Sequence, residues 1–231
     1  MSFVFAPAPV VGLAVTSQSA RFPVHRVFCV GQNYADHAIE MGSSGREAPF
    51  FFMKPARSVV PAGASQTLTV PYPAGTSELH HEVELVVAIG QEARDITADS
   101  AAACIWGYAV GLDLTRRDLQ AALKAKGRPW EVAKGFEASA PVGPVTPVAQ
   151  TGLLTQVPIR LDVNDQPRQQ GNIDQMIWKV NEIIAHLSQH WQLMPGDLVF
   201  TGTPAGVSAL QPGDRLRAEV AGLAPLQVTI G

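Results

Sequence analysis

The sequence predicts an α+β fold built on a β-rich mixed sheet, and three observations predict it. Eight short apolar runs have strand character while only three segments have helical character. The runs do not alternate with helices, as the strands of a doubly wound nucleotide-binding sheet would. Twenty Gly and 18 Pro among 231 residues, with 7% aromatic residues, supply turns for many short elements and exclude long heptad helices.

Taken in order, residues 1–23 read as an N-terminal extension and 24–231 as one domain of catalytic size. The extension is apolar, but it has no Lys or Arg before Arg21 and is interrupted by Pro7 and Pro9, so a secretory leader is not expected. Strands are expected at 25–30, 50–54, 80–89, 105–112, 159–163, 198–201, 216–220 and 226–230, each an apolar run bounded by turn residues. A short helix is expected at 35–41, closed by Gly42 as a left-handed cap. Thr115 through Asp118 has the form of a capping box opening a second helix that runs to about Lys126, before Gly127 and Pro129. The third helix is expected at 173–192, because Ile177, Val180, Ile184 and Leu187 recur at helical spacing.

Composition removes several function classes. Hydrophobic residues at 46% and charged residues at 16% are enough to bury a core, which excludes disorder. A net charge of −3 leaves no basic field for nucleic acid or an anionic membrane. No uninterrupted apolar stretch approaches the length of a membrane helix. Cys29 and Cys104 are too few for a disulfide scaffold or a cysteine-built zinc site, and both lie in apolar runs, which fits buried thiols in a reducing cytoplasm. There is no dinucleotide-binding Gly-x-Gly-x-x-Gly, no phosphate-cradling loop, no Gly-x-Ser-x-Gly and no Cys-x-x-Cys.

The unusual segment is Leu79-His80-His81-Glu82-Val83-Glu84-Leu85, which sets two carboxylates into an otherwise apolar strand. On one strand Glu82 and Glu84 share a face. Two buried carboxylates repel, so they need raised pKa values or a cation between them. The alternative is a solvated strand face. Asp113, which ends another apolar run, is a turn residue or a third oxygen donor; with Glu82 and Glu84 it makes an all-oxygen set suited to Mg2+ or Mn2+ rather than Zn2+. His80 and His81 are either further ligands or exposed or core-satisfied imidazoles. His37 and Glu40, three apart on the expected short helix, are either a surface pair or a general base with its orienting carboxylate. Lys134, between Gly135 and apolar neighbours, is a pocket lysine or a solvated one. In Thr201-Gly202-Thr203-Pro204-Ala205-Gly206 the glycines permit backbone to approach a small ligand, or serve a tight turn.

Five stretches in fixed order carry a family resemblance: Gly31-Gln32-Asn33-Tyr34-Ala35-Asp36-His37-Ala38-Ile39-Glu40, Pro49 to Pro55, His80 to Leu85, Gly107 to Asp118, and Thr201 to Val207. Together they resemble the short single-domain members of the fumarylacetoacetate hydrolase family, among them fumarylpyruvate and acylpyruvate hydrolases. The likeness covers roughly 24–231 and implies a β-roll-like mixed sheet and a homodimer. It implies that Glu82, Glu84 and Asp113 hold the divalent metal, that His37, Glu40 and Lys134 are catalytic, and that Arg117, Gln120 and Thr203 face substrate. Two departures, Ile173 where many relatives carry threonine and the less aromatic Ala138-Ser139-Ala140-Pro141, touch none of these positions.

The activity implied is hydrolysis of a carbon–carbon bond in a 2,4-diketo acid, giving pyruvate and a carboxylic acid. The partner is therefore a small 2-oxo acid, not nucleic acid or a membrane. The alternatives are oxaloacetate decarboxylation, an isomerase or decarboxylase reaction of aromatic catabolism, and a non-catalytic 2-oxo acid-binding module, since fold does not dictate reaction. Arg21, Lys54, Arg57 and Arg128 are the cations available for the distal carboxylate of a fumaryl tail.

Overall fold

The computed structural model describes residues 2–34 and 47–231. The helix expected at 35–41, with His37 and Glu40, lies outside the described residues.

The larger sheet has eight strands. Seven follow one path, Phe51–Lys54, Val27–Val30, Leu198–Phe200, Val83–Ile89, Ile105–Leu112, Ala140–Val142 and Val59–Pro61, and Thr146–Pro147 pairs beside Ile105–Leu112. Two of its pairings are parallel, Leu198–Phe200 with Val27–Val30 and Ala140–Val142 with Val59–Pro61, and the rest are antiparallel. A second sheet runs Gln166–Asn172, Pro158–Val163, Arg215–Val220, Leu226–Ile230, Thr67–Val70. The architecture is α+β with mixed sheets, as the alternation of short strands and turns predicts.

Every residue of Val83–Ile89 is buried, because both faces of this strand are covered. Strand alternation sends Val83, Leu85, Val87 and Ile89 into the core shared with Ile159, Leu161, Leu216 and Ala218 of the second sheet. Val86 and Ala88 point the other way, into a cluster completed by Leu13, Val15 and Phe22. Those three come from an antiparallel hairpin of Gly12–Val15 with Gln18–Pro23, an element the sequence analysis did not identify. Glu84 belongs to this second face. Burying the apolar side chains along the strand, at roughly 25 cal/mol per Å², holds an acid where water would otherwise solvate it.

Three expected elements are corrected. The strand at 80–89 is two, Leu79–His80 and Val83–Ile89, because Leu79–His80 leaves the large sheet to pair with Thr115–Arg116 and Ala209–Leu210. Glu82 thus sits at a crossing between strands rather than within one. The capping box at Thr115 does not form: Thr115 is a strand residue whose hydroxyl donates to Asp113 O, while the Asp118 carboxylate accepts from Thr76 Oγ1, Ser77 N and Leu119 N. The helix it was expected to open is Arg117–Lys124. The helix expected at 173–192 is a 3-10 turn, Ile173–Gln175, followed by an α-helix, Val180–His190. Buried Asn33 explains the break: its backbone O accepts from Ile177 N at 2.7 Å and its Oδ1 from Trp178 N at 2.8 Å, so those amides are unavailable to a continuous helix. Among the described residues no helix is long and apolar enough to cross a membrane.

Candidate metal centre and active-site cleft

Glu82, Glu84 and Asp113 converge although three different local structures place them. Glu82 lies between two strands, Glu84 is the second residue of Val83–Ile89, and Asp113 follows Ile105–Leu112. The backbone bond Asp113 N to Glu82 O, 2.9 Å, ties the two ends together. One carboxylate oxygen from each residue lies within 4.8 Å of the others, and all three side chains are buried. Glu84 shows the strain most clearly. Burial, and then the charges of Asp113 and Glu82, push its pKa well above the ordinary carboxylate range, against a hydrogen bond from Gly202 N at 2.7 Å. A hard divalent cation removes that conflict, and an oxygen-only donor set is the one Mg2+ or Mn2+ takes.

Two buried lysines already offset part of the charge. Lys134 Nζ donates to Glu82 Oε2 at 2.7 Å and to Asp113 Oδ2 at 2.8 Å. Burial alone would depress its pKa, but Asp113 and Glu82 overcome that and the net shift is upward, so it stays an ammonium. With two of its three protons on carboxylates, one remains for an oxygen in the cleft. Lys54 was expected only as a candidate for a distal substrate charge. It is instead 1% exposed, with Nζ 2.8 Å from Asp113 Oδ1 and donating to the carbonyls of Leu114, Lys134 and Ser139. It locks the Asp113 and Lys134 backbones together and has no proton free for substrate.

The cleft is lined by Val30, Gly31, Gln32, Phe52 and Trp130 together with the three acids, Arg117, Gln120, Lys134, Gly202 and Thr203. Arg117 pairs with Glu82 Oε1 and donates to Gln120 Oε1, so these two expected substrate-facing residues come as a unit. Thr203 Oγ1 donates to Val83 O at 2.8 Å. Gly202 has φ +95°, and a Cβ there would lie 2.7 Å from Asn33 Cβ; glycine is required so that its N–H can reach Glu84. Of the cations expected for a fumaryl tail, Arg21, Arg57 and Arg128 do not line the cleft. His81 is fully buried between Gln169 and Ser208, and its pKa is lowered by burial, as a core-satisfied imidazole. His80 faces Arg117; burial, then that guanidinium, lower its pKa to about 4. Among the described residues neither histidine joins the acidic group.

Neither Lys54 nor Gln169 stands out in the sequence as part of the site. Lys54 ends the aromatic run 50–54, where an amphiphilic lysine at a strand end looks solvated; the signal available was its place in the Pro49 to Pro55 stretch. Gln169 sits in a polar run with no alternation to mark it.

A mixed-sheet frame carrying three buried acids at the floor of a cleft defines a class of enzymes that work with a divalent cation. Within that class the chain belongs to the fumarylacetoacetate hydrolase family: residues 26–231 match the family described as fumarylacetoacetate (FAA) hydrolase C-terminal. It is 44% identical to fumarylpyruvate hydrolase of Ralstonia sp over 185 residues, 80% of this chain and 94% of that one. It is also 44% identical to an oxaloacetate tautomerase of Escherichia coli over 196 residues, 84% of this chain and 88% of that one. The crystal structure of fumarylpyruvate hydrolase from Pseudomonas aeruginosa in complex with Mn2+ and pyruvate matches with a TM-score of 0.98 at 49% identity, covering 99% of each chain. The fold expected from the sequence is therefore the fold of this family.

Proposed function

We propose that the protein is a metal-dependent hydrolase that cleaves the carbon–carbon bond of a 2,4-diketo acid, fumarylpyruvate or another acylpyruvate, to pyruvate and a carboxylic acid. The observation that carries this reading is the buried triad Glu82, Glu84 and Asp113 with the Lys134 ammonium held at its rim. The likeness to two fumarylpyruvate hydrolases, one with Mn2+ and pyruvate bound, supports it. When bound, a divalent ion held by the three carboxylates supplies Lewis-acid polarisation and a template for the carboxylate and 2-oxo group of the substrate.

The chain's own groups do the rest. His37, oriented by Glu40, takes a proton from water, whose oxygen adds to the C4 carbonyl. Lys134 donates its remaining N–H to the oxyanion that develops there. The C3–C4 bond then breaks, its electron pair passes to C3, and pyruvate leaves as an enolate that recovers the proton from His37. The C4 fragment departs as the carboxylic acid. Arg117, Gln120 and Thr203 orient the substrate along the cleft wall, and Lys54 holds Asp113 and Lys134 in register. We place this chemistry in residues 24–231, with 1–23 as an extension lending its hairpin to the core, in a homodimer, as the family resemblance implies, and in the cytoplasm, which fits the two buried thiols.

A second reading is turnover of oxaloacetate, favoured by the equally similar oxaloacetate tautomerase. The test is incubation of the Mn2+-loaded protein with fumarylpyruvate, acetylpyruvate and oxaloacetate separately, following loss of the diketone absorbance, enol–keto exchange and release of pyruvate. Chelator-sensitive cleavage of a diketo acid supports the hydrolase; action on oxaloacetate alone overturns it. Replacing His37 by alanine is expected to abolish turnover while Mn2+ still binds, and a variant with near-normal turnover removes His37 from the mechanism.

A further inference from the structure

Gln169 is the one fully buried side chain of the strand Gln166–Asn172, on a sheet that contributes no residue to the acidic triad. Its carboxamide nevertheless reaches the metal strand and the turn opposite. Oε1 accepts from Val83 N at 3.1 Å and from His81 Nδ1 at 2.9 Å, while Nε2 donates to Thr203 Oγ1 at 2.8 Å and Pro204 O at 2.7 Å. That uses the full capacity of a primary amide, two acceptor sites and two donors. The orientation is not ambiguous: Val83 N–H can only donate and Pro204 O can only accept, so a flipped amide would place like groups together at both ends.

The partners are what separate this from an ordinary satisfied core amide. Val83 lies between Glu82 and Glu84, His81 precedes Glu82, and Thr203 follows the Gly202 whose N–H holds Glu84. The Thr203 hydroxyl is fixed from both sides, giving its proton to Val83 O and accepting from Gln169 Nε2. The turn and the strand also meet at close range, since a Cβ on Gly206 would fall 2.0 Å from the backbone Arg168 O and one on Gly171 2.9 Å from the side-chain Pro204 Cβ. The two segments therefore cannot slide independently.

We infer that Gln169 is a positioning residue for the reaction: it acts through Thr203, fixing the turn whose Thr203 lines the cleft and whose Gly202 N–H reaches Glu84. The inference rests on the proposed function in taking Thr203 as substrate-facing. A residue at this remove from the ligand is expected to change affinity or turnover by about 10- to 100-fold.

The experiment is a double-mutant cycle of Gln169→Leu with Thr203→Val in the Mn2+-loaded full chain, read on kcat/KM for whichever 2-oxo acid the wild type turns over and, in parallel, on pyruvate affinity by calorimetry. If Gln169 acts through Thr203, each single variant falls by about 10- to 100-fold and the double falls no further than Thr203→Val alone. Losses that multiply, or a Gln169→Leu variant with wild-type kcat/KM and pyruvate affinity, overturn the inference. Gln169→Glu preserves volume and the acceptor to Val83 while removing the donor to Thr203. It gives the same readout if the leucine variant does not fold, and its near-normal behaviour overturns the inference equally. A wild type that cleaves no acylpyruvate sinks the hydrolase reading, whereas the cycle on pyruvate affinity still decides the role of Gln169.

Discussion

The two ends of the strand Val83–Ile89 each meet buried acid, and they treat it in opposite ways. At the far end Ile89 N donates to the backbone of Asp197, whose carboxylate is fully buried. Arg26 grips it with Nε at 3.0 Å and Nη2 at 2.6 Å, His25 Nδ1 lies 3.1 Å away, and Met194 N caps it at 2.8 Å. One acid there meets a matched fork and a turn, and its charge is settled locally. At the near end Glu84 is crowded by two further acids, and its pKa rises through burial first and those neighbours second. A buried acid gripped by its own fork stabilises a fold; at the near end Lys54, Lys134 and Arg117 pair with Asp113 and Glu82 while Glu84 is met by the Gly202 N–H, an arrangement built for a cation that arrives later.

The largest effect should come from the crowded end. Asp113→Asn is expected to lower turnover by about 10^3-fold or more, and to abolish the thermal stabilisation by Mn2+, which for the wild type should reach about 2.7 kcal/mol at a hundredfold excess over Kd. A variant that keeps both erases the distinction between the two ends.

Lys54→Met comes next. It leaves Asp113 with Lys134 as its one remaining buried cation and takes a donor from the carbonyls of Leu114, Lys134 and Ser139, a loss of about 3–5 kcal/mol measurable by urea unfolding of the metal-free protein. A loss below about 1 kcal/mol would mean that Lys134 alone carries the charge balance.

The pH dependence sharpens the comparison. Because the folded pKa of Glu84 lies above its unfolded value, the folded state binds more protons than the unfolded state. Its contribution is thus fully present below the unfolded pKa and is lost as pH rises through the carboxylate range toward the raised folded value. Metal-free protein should lose stability over that window, Glu84→Gln should flatten the profile, and Mn2+ affinity should rise with pH as the proton is displaced. A flat profile in the wild type would mean that neither burial nor the neighbouring acids raise the Glu84 pKa.

The smallest effect belongs to the settled end. Asp197→Asn weakens the Arg26 fork, whose side chain is 25% exposed, and is expected to lower stability by about 1–3 kcal/mol with kcat unchanged. A fall in kcat would show that the two ends communicate along the strand.

What could be read beforehand follows a physical pattern. Glu82, Glu84 and Asp113 stand out in sequence because charge inside an apolar run must be explained, and the spacing held even though Glu82 proved to lie between strands. Lys54 did not stand out, because a lysine at the end of an aromatic run can extend to water; only the carbonyls of Leu114, Lys134 and Ser139 gathered around its Nζ make it a buried cation. The hairpin from Gly12 to Pro23 was missed for a related reason: the strand Gln18–Pro23 buries Phe22 alone, so it has no alternation to detect. The single helix expected at 173–192 failed because side-chain periodicity does not register Asn33, 145 residues away from Trp178, taking the amides that would have continued it.

The sequence by itself determined the α+β class, most strand cores, the buried thiols and the three acids that converge in the cleft, since these follow from local periodicity and from the cost of putting charge among apolar residues. Tertiary structure alone decided which cations meet those acids, which glycine turns its N–H toward Glu84, and that an amide from the second sheet fixes Thr203. Those are contacts between residues 21 to 118 apart in the sequence, and no local pattern encodes the meeting of two distant side chains until the sheets have packed.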